Sequence, residues 1–169
     1  DIESADGSES KNTKLIDSKF VVDMNQRLGG GSYSQVYTSW LRNNPTQQFA
    51  CKVISKKDLD LQVTSIQIDL QESRQIGGEN EIKQYIIKRI KTEVEIGHKI
   101  KHPNIVQFVY FTETGSNIYI FMENAKRTSL QFSNLEELIK HQGPLPEQQA
   151  LIVFRDIVNA ACLLYDHNI

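Results

Sequence analysis

Leu28–Tyr37, LGGGSYSQVY, sets three consecutive glycines, Gly29, Gly30 and Gly31, between two segments in which apolar residues alternate. Such a run suits a hairpin whose backbone must turn tightly or approach a ligand closely, because glycine brings no Cβ to obstruct either. Sixteen residues past Val36, the strand-like run Phe49-Ala50-Cys51-Lys52 carries a single ammonium group that can lie beneath that loop. Backbone amides over a polyphosphate, with a lysine below them, would make half of a nucleotide cradle. Neither feature decides anything alone, since tight turns of every kind use glycine and strand lysines commonly face water.

The flanking chain has the periodicities of a mixed α+β domain. Phe20, Val22 and Met24 alternate ahead of Leu28, Gln35–Trp40 gives a second strand and Gln48–Ile54 a third. Asn43-Asn44-Pro45-Thr46 is a turn by composition. Ile82, Ile86, Ile90 and Val94 recur every four residues, which predicts a helix of about five turns. Glu93 and Glu95 lie on that helix and point about 200° apart, so only one can face Lys52. His102-Pro103 ends the helix, because proline cannot continue it and restricts the residue before it. Ile105–Phe111 and Ile118–Met122 read as buried strands joined by the turn Thr114-Gly115-Ser116-Asn117.

Two stretches interrupt this order. Leu59–Ile76 is rich in Gln and Ile with an ambiguous period, either an added strand or a loop, and Gly77-Gly78 ends it. After Glu123 the composition turns polar through Ser129, as a connector would. Ser133 with Glu136 reads as a capping box, Gly143-Pro144 closes the short helix it opens, and Pro146 suits the first position of the next. There Ala150, Leu151, Phe154, Ile157, Val158, Ala161, Leu164 and Tyr165 follow the spacing of a buried helix face.

Bulk composition excludes several classes of function. The 169 residues carry a net charge of −2, with 39% apolar and 24% charged residues. That balance gives no electrostatic case for nucleic acid or membrane binding. No apolar run approaches a membrane span, and no secretory leader opens the chain. Cys51 and Cys162 lie far apart inside apolar segments, which suits a reduced, cytoplasmic setting. Residues 1–18 are polar and acid-rich, without a repeating apolar face, and are expected to be disordered.

The order of glycine-rich loop, Ala50-x-Lys52, helix glutamate, His102-Pro103-Asn104-Ile105-Val106 and an apolar strand ending in Met122-Glu123 resembles the protein kinase catalytic domain over residues 20–169. The resemblance implies a five-stranded antiparallel small-lobe sheet with one long helix at 19–125, carrying an insertion at about 55–78. A connector at 126–133 and the first helices of an incomplete helical large lobe at 134–169 would follow. It implies ATP as ligand, bound under the backbone of Leu28, Gly29, Gly30, Gly31, Ser32, Tyr33 and Ser34, with Ser34 standing where a third glycine is usual. Val36 and Ala50 would sandwich the adenine, Met122 would stand at the back of the pocket, and main-chain groups of Glu123 and Ala125 would recognise the base edge. Lys52 would reach the phosphates, and the family's spacing to the proline selects Glu93 over Glu95 as its partner.

The parent protein would then transfer phosphate to Ser or Thr of protein substrates, a lean taken from the likeness of HPNIV and Gly143-Pro144-Leu145-Pro146-Glu147 to the calmodulin-dependent and autophagy-initiating kinase groups. Tyr165-Asp166-His167-Asn168-Ile169 resembles the helix end just before the catalytic loop. The catalytic base and the Mg2+ ligands are therefore expected beyond this chain, and the chain by itself is expected to be inactive. Gly97 departs from the family, which carries a bulky Leu or Met there: either a neighbour fills the gap or the helix is loosely held. That departure leaves room for a regulatory partner. It also keeps open the alternative of a pseudokinase scaffold with the same fold.

Overall fold

A computed structural model describes residues 12–31, 34–60, 79–125 and 134–169. Strands β1 (Thr13–Ile16), β2 (Phe20–Gly30), β3 (Ser34–Leu41), β4 (Asn44–Ser55), β5 (Phe108–Glu113) and β6 (Asn117–Glu123) form one antiparallel sheet in the order β1-β2-β3-β4-β6-β5. Residues 56–60 are helical, α1; then come α2 (Glu79–Lys99), α3 (Leu135–Gln142) and α4 (Glu147–Asp166). The fold is α+β as expected, with six strands where five were expected. The extra strand, Thr13–Ile16, lies in the stretch read as disordered. It forms because Asp17 and Ser18 both take left-handed backbone, with φ of 49° and 55°, in a turn closed by Lys19 N–H to Ile16 O at 3.0 Å. Ile16 is thereby delivered into the core.

The two-residue strand period sorts β4 into two faces. Phe49, Cys51 and Val53 join Ile16, Phe20, Val22, Tyr119 and Phe121 in one cluster. Ile54 joins Ile90, Ile118 and Ile120 in the other, backed by Ile86, Val94, Phe108, Phe111 and Met122. The first cluster is built on aromatic packing, with the Phe20 and Phe121 rings stacked at 4.1 Å and Phe20 edge-on to Phe49 at 5.7 Å. It also draws the two sheet edges together. The Tyr110 hydroxyl of β5 donates to Asp17 at 3.0 Å, and Lys19 lies 4.7 Å from the centre of the Tyr110 ring.

The second cluster seats α2. Its apolar residues at every fourth position face β5 and β6, as the spacing implied, and the helix runs longer than the five turns expected. Gly97 explains how close the helix comes: a Cβ there would lie 2.8 Å from Cδ2 of Phe108. The gap is filled, by the Phe108 ring. Lys91 of α2 and Lys56 of α1 both reach Glu113 of β5, at 3.2 and 3.6 Å. Lys83 pairs with Asp60 at 2.6 Å.

Beyond the sheet, α3 is capped by Asn134, whose side chain accepts from Glu137 N–H at 2.8 Å. Cap and acid thus fall one residue after the expected Ser133 and Glu136; Ser133 lies outside the described residues. Gly143, with φ of 81°, ends α3 as expected. Pro146 sits at the N-cap of α4, one position earlier than expected. No residue of α3 or α4 is buried, and Leu151, Phe154, Ile157 and Tyr165 stand exposed. Asn104 Nδ2 ties α4 to the turn between α2 and β5, donating to Asp156 O at 2.9 Å. The reading of Leu59–Ile76 lies outside the described residues except for residues 59 and 60, where Leu59 is buried.

Gly97→Leu is expected to destabilise the chain by about 1–3 kcal/mol through overpacking against Phe108. Adding Phe108→Ala should recover part of that loss. Urea unfolding of the two single variants and the double variant measures the coupling; additive losses would contradict the close approach.

Candidate functional site

The register of the sheet gathers the expected site residues. Gly29, Val36, Lys52, Ile120 and Phe111 are successive cross-strand partners in one row across five strands. Thr38, Ala50, Met122 and Phe108 form the neighbouring row. Directly opposed residues project to the same side, so Val36, Ala50, Lys52 and Met122 share the face on which α2 packs. With strands spaced at roughly 4.8 Å, Gly29 and Lys52 lie about 10 Å apart across β3. That separation is on the scale of a polyphosphate.

The glycine loop turns without left-handed backbone at Gly29, Gly30 or Gly31. Its hairpin is closed by Gly31 N–H to Ser34 O at 2.8 Å, and Arg27 Nε donates to Gly29 O at 3.3 Å. Gly30 is the sterically obligatory member: a Cβ there would meet the Ser34 carbonyl at 2.9 Å. At Gly29 and Gly31 a Cβ would meet nothing among the described residues within 4 Å, leaving space where a ligand can approach backbone. Ser32 and Tyr33 lie outside the described residues; Leu28 is half-buried at the loop's entry.

Lys52 is half-buried between Val36 and Ile120. Glu93 is exposed on α2 and lines a cavity of about 630 Å³ with Arg89, Gly97, Val106, Phe108 and Ile169. Glu95 faces a different hollow, beside Val109 and Phe111. The helix therefore separates the two glutamates as the 100° rotation per residue requires. The ion pairs among the described residues do not join Lys52 to Glu93. What α2 does engage is Glu113, whose carboxyl is held below its usual range chiefly by the hydrogen bond from Lys91, with Lys56 adding charge.

The strand end read as the base-recognising edge is anchored by a residue that sequence reasoning passed over. Glu123 N–H donates to Gln107 O at 2.9 Å, and Gln107 N–H donates to Glu123 Oε1 at 3.1 Å. The only signal for Gln107 was an amide inside the otherwise apolar run Ile105–Phe111. Ala125 is exposed just beyond. Residues 126–133, the expected connector, lie outside the described residues. Cys51 is a buried thiol pushed far above its usual range by desolvation, which suits packing rather than chemistry. No helix among the described residues is long and apolar enough to cross a membrane.

Comparison with known proteins adds an independent line. A family model described as the protein kinase domain matches residues 22–169. The chain is 26% identical over 146 residues to serine/threonine-protein kinase ULK3 of Mus musculus, covering 86% of this chain and 25% of that protein. It is 29% identical over 160 residues to the probable serine/threonine-protein kinase fhkD of Dictyostelium discoideum, covering 91% and 18%. Serine/threonine-protein kinase plk-2 of Caenorhabditis elegans is 32% identical over 143 residues, covering 84% and 18%. The chain thus spans a quarter or less of the length of these relatives. Among solved structures, Rad53 1-466 in complex with AMP-PNP has the same fold, with a TM-score of 0.59 at 22% identity, covering 94% of this chain and 32% of that one.

Two outcomes test the local geometry. Gly30→Ala should cost about 1–3 kcal/mol through its clash with the Ser34 carbonyl, whereas Gly29→Ala and Gly31→Ala leave the unfolding midpoint unchanged. Glu113→Gln should cost less than about 1 kcal/mol at neutral pH, because the clasp is partly exposed. A carboxyl with a lowered folded pKa stabilises above its unfolded pKa and loses that contribution as pH falls through the folded value. The difference between wild type and Glu113→Gln should therefore shrink as pH falls from neutral through the acid range and vanish once the folded carboxyl is protonated, measured by urea unfolding across the range.

Proposed function

The chain belongs to the protein kinase domain family, and from that premise we propose that it is the nucleotide-binding part of an ATP-dependent Ser/Thr protein kinase. The observation that carries this reading is the cross-strand row that sets Gly29, Val36 and Lys52 on one face, beside Ala50 and Met122. The open space at Gly29 and Gly31 fits a ligand that approaches backbone. The names of the relatives support Ser/Thr specificity.

In this reading the amides of the Gly29–Ser34 loop that the hairpin leaves free donate to phosphate oxygens, which neutralises charge without a mobile side chain, while the Gly31 amide is held by Ser34 O. Val36 and Ala50 are small enough to leave a flat apolar slot for the adenine, with Met122 at its back. The main chain of Glu123 and Ala125 holds the base edge. Lys52 Nζ orients the α and β phosphates, and Glu93 fixes the lysine's four-carbon stem by ion pairing once α2 brings the two together. Magnesium bound with ATP supplies further charge neutralisation at the phosphates; none of the residues named here is assigned as its ligand. The acceptor is a Ser or Thr hydroxyl of a protein substrate. A reduced intracellular setting belongs to the same reading, supported by the free thiols of Cys51 and Cys162.

The test uses the full-length protein with Mg·ATP and a panel of Ser-, Thr- and Tyr-containing peptides. Transfer to Ser or Thr is expected, and Lys52→Met should lower kcat by about 100-fold or more through loss of phosphate positioning. Glu93→Gln should lower it in the same direction with the fold intact by circular dichroism. Undiminished turnover by Lys52→Met would overturn the assignment.

A further inference from the structure

The amide of Gln107 joins three parts of the molecule that the proposed reaction needs to act together. Its side-chain nitrogen donates to Gly97 O at 3.0 Å and to Phe108 O at 3.1 Å, with His98 O at 3.4 Å. Gly97 and His98 lie in the last turn of α2, where carbonyls have no partner within the helix. Gln107 therefore supplies the hydrogen bonds that close that end. His98 Nδ1 lies 3.2 Å from Phe108 O, a second bond between the same helix turn and the start of β5. The Phe108 ring lies against the backbone at Gly97, so the helix end has little room to slide.

The main chain of the same residue holds the end of β6. Gln107 O accepts from Glu123 N–H at 2.9 Å while Gln107 N–H donates to the Glu123 carboxylate at 3.1 Å. Glu123 is thus fixed through both backbone and side chain to one residue. That residue's own side chain is fixed to the helix bearing Glu93. A displacement of Glu123 by bonding at the base edge passes to Gln107 through two hydrogen bonds and on to the α2 carbonyls through two more. The bond to Gly97 O is part-buried and resists lengthening, because its partners do not readily find water in exchange, while those to the Glu123 carboxylate and to His98 O are exposed.

We propose that Gln107 is a positioning residue that couples engagement of the adenine edge at Glu123–Ala125 to the placement of α2, and so to whether Glu93 meets Lys52. This rests on the nucleotide-binding reading above. Gln107 touches no substrate in this scheme; it acts through Glu123 at one end and Gly97 and His98 at the other.

The test is hydrogen exchange on the full-length protein, with Mg·AMP-PNP as probe and binding measured in parallel by calorimetry. In wild type, nucleotide should slow exchange in the last turns of α2, residues 93–100, by about fivefold or more, the range of measured couplings between sites. Gln107→Met, of similar length but without donors, should still bind nucleotide while the slowing at α2 is lost. Gln107→Lys restores a donor at a helix C-terminus that favours positive charge, and should restore the slowing. A merely structural role would lower the melting temperature of Gln107→Met and leave the nucleotide-induced slowing in place. If Gln107→Met does not fold, Gln107→Leu, which also lacks side-chain donors, takes its place in the same comparison. Nucleotide binding with no response at α2 would overturn the coupling alone. Failure of wild type to bind nucleotide would overturn the nucleotide-binding reading and the coupling with it.

Discussion

The site depends first on the alternation of β4. Successive side chains of a strand point to opposite faces, so placing Phe49, Cys51 and Val53 in the aromatic cluster forces Ala50, Lys52 and Ile54 to the other side. A slip of one residue would exchange the two sets, burying an ammonium among Phe20, Val22 and Phe121. The desolvation of that charge is far costlier than any turn could impose. Register is therefore fixed by the core, and the position of Lys52 follows from it. The aromatic stack on the far face of the sheet is what aims the lysine.

The second constraint is the mounting of α2. Its apolar face meets Ile54, Ile118 and Ile120, and its closest approach to the sheet is where Gly97 faces Phe108. Contacts on the β5 side are numerous: Lys91 to Glu113, Gln107 to Gly97 and His98, and His98 to Phe108. Glu93 lies one turn before Gly97 on the same side of the helix, exposed toward the cavity that Gly97 and Phe108 also line.

Much of this was legible from periodicity. The alternation around Leu28–Tyr37 and Phe49–Lys52 and the four-residue recurrence from Ile82 to Val94 are local patterns, and each formed the expected element. β1 was not legible, because its four residues have only one buried side chain and exist as a strand through pairing with β2. The cap of α3 fell on Asn134 where Ser133 fitted the spacing equally well, so composition could not choose. Gly97 looked like a defect because sequence cannot reveal that Phe108, eleven residues on, fills the space. Gln107 carried almost no signal, since one polar residue in an apolar strand is ordinarily a solvent-facing one.

Why the helix glutamate and the strand lysine stand apart here follows from magnitudes. An exposed pair of this kind contributes less than about 1 kcal/mol, because both charges give up water and side-chain freedom to meet. Glu113, by contrast, meets two cations without moving the helix, and Lys56 also donates to Thr114 O at 2.6 Å, which spreads the cost over several bonds. A polyphosphate beneath Gly29–Gly31 would change the balance, since it adds several negative charges close to Lys52 and fixes the ammonium before Glu93 arrives. The remaining ordering cost of the pair is then smaller. In the proposed reading the pair would follow from nucleotide binding more than cause it, and the residues that decide how readily α2 can swing would be those that hold it to β5.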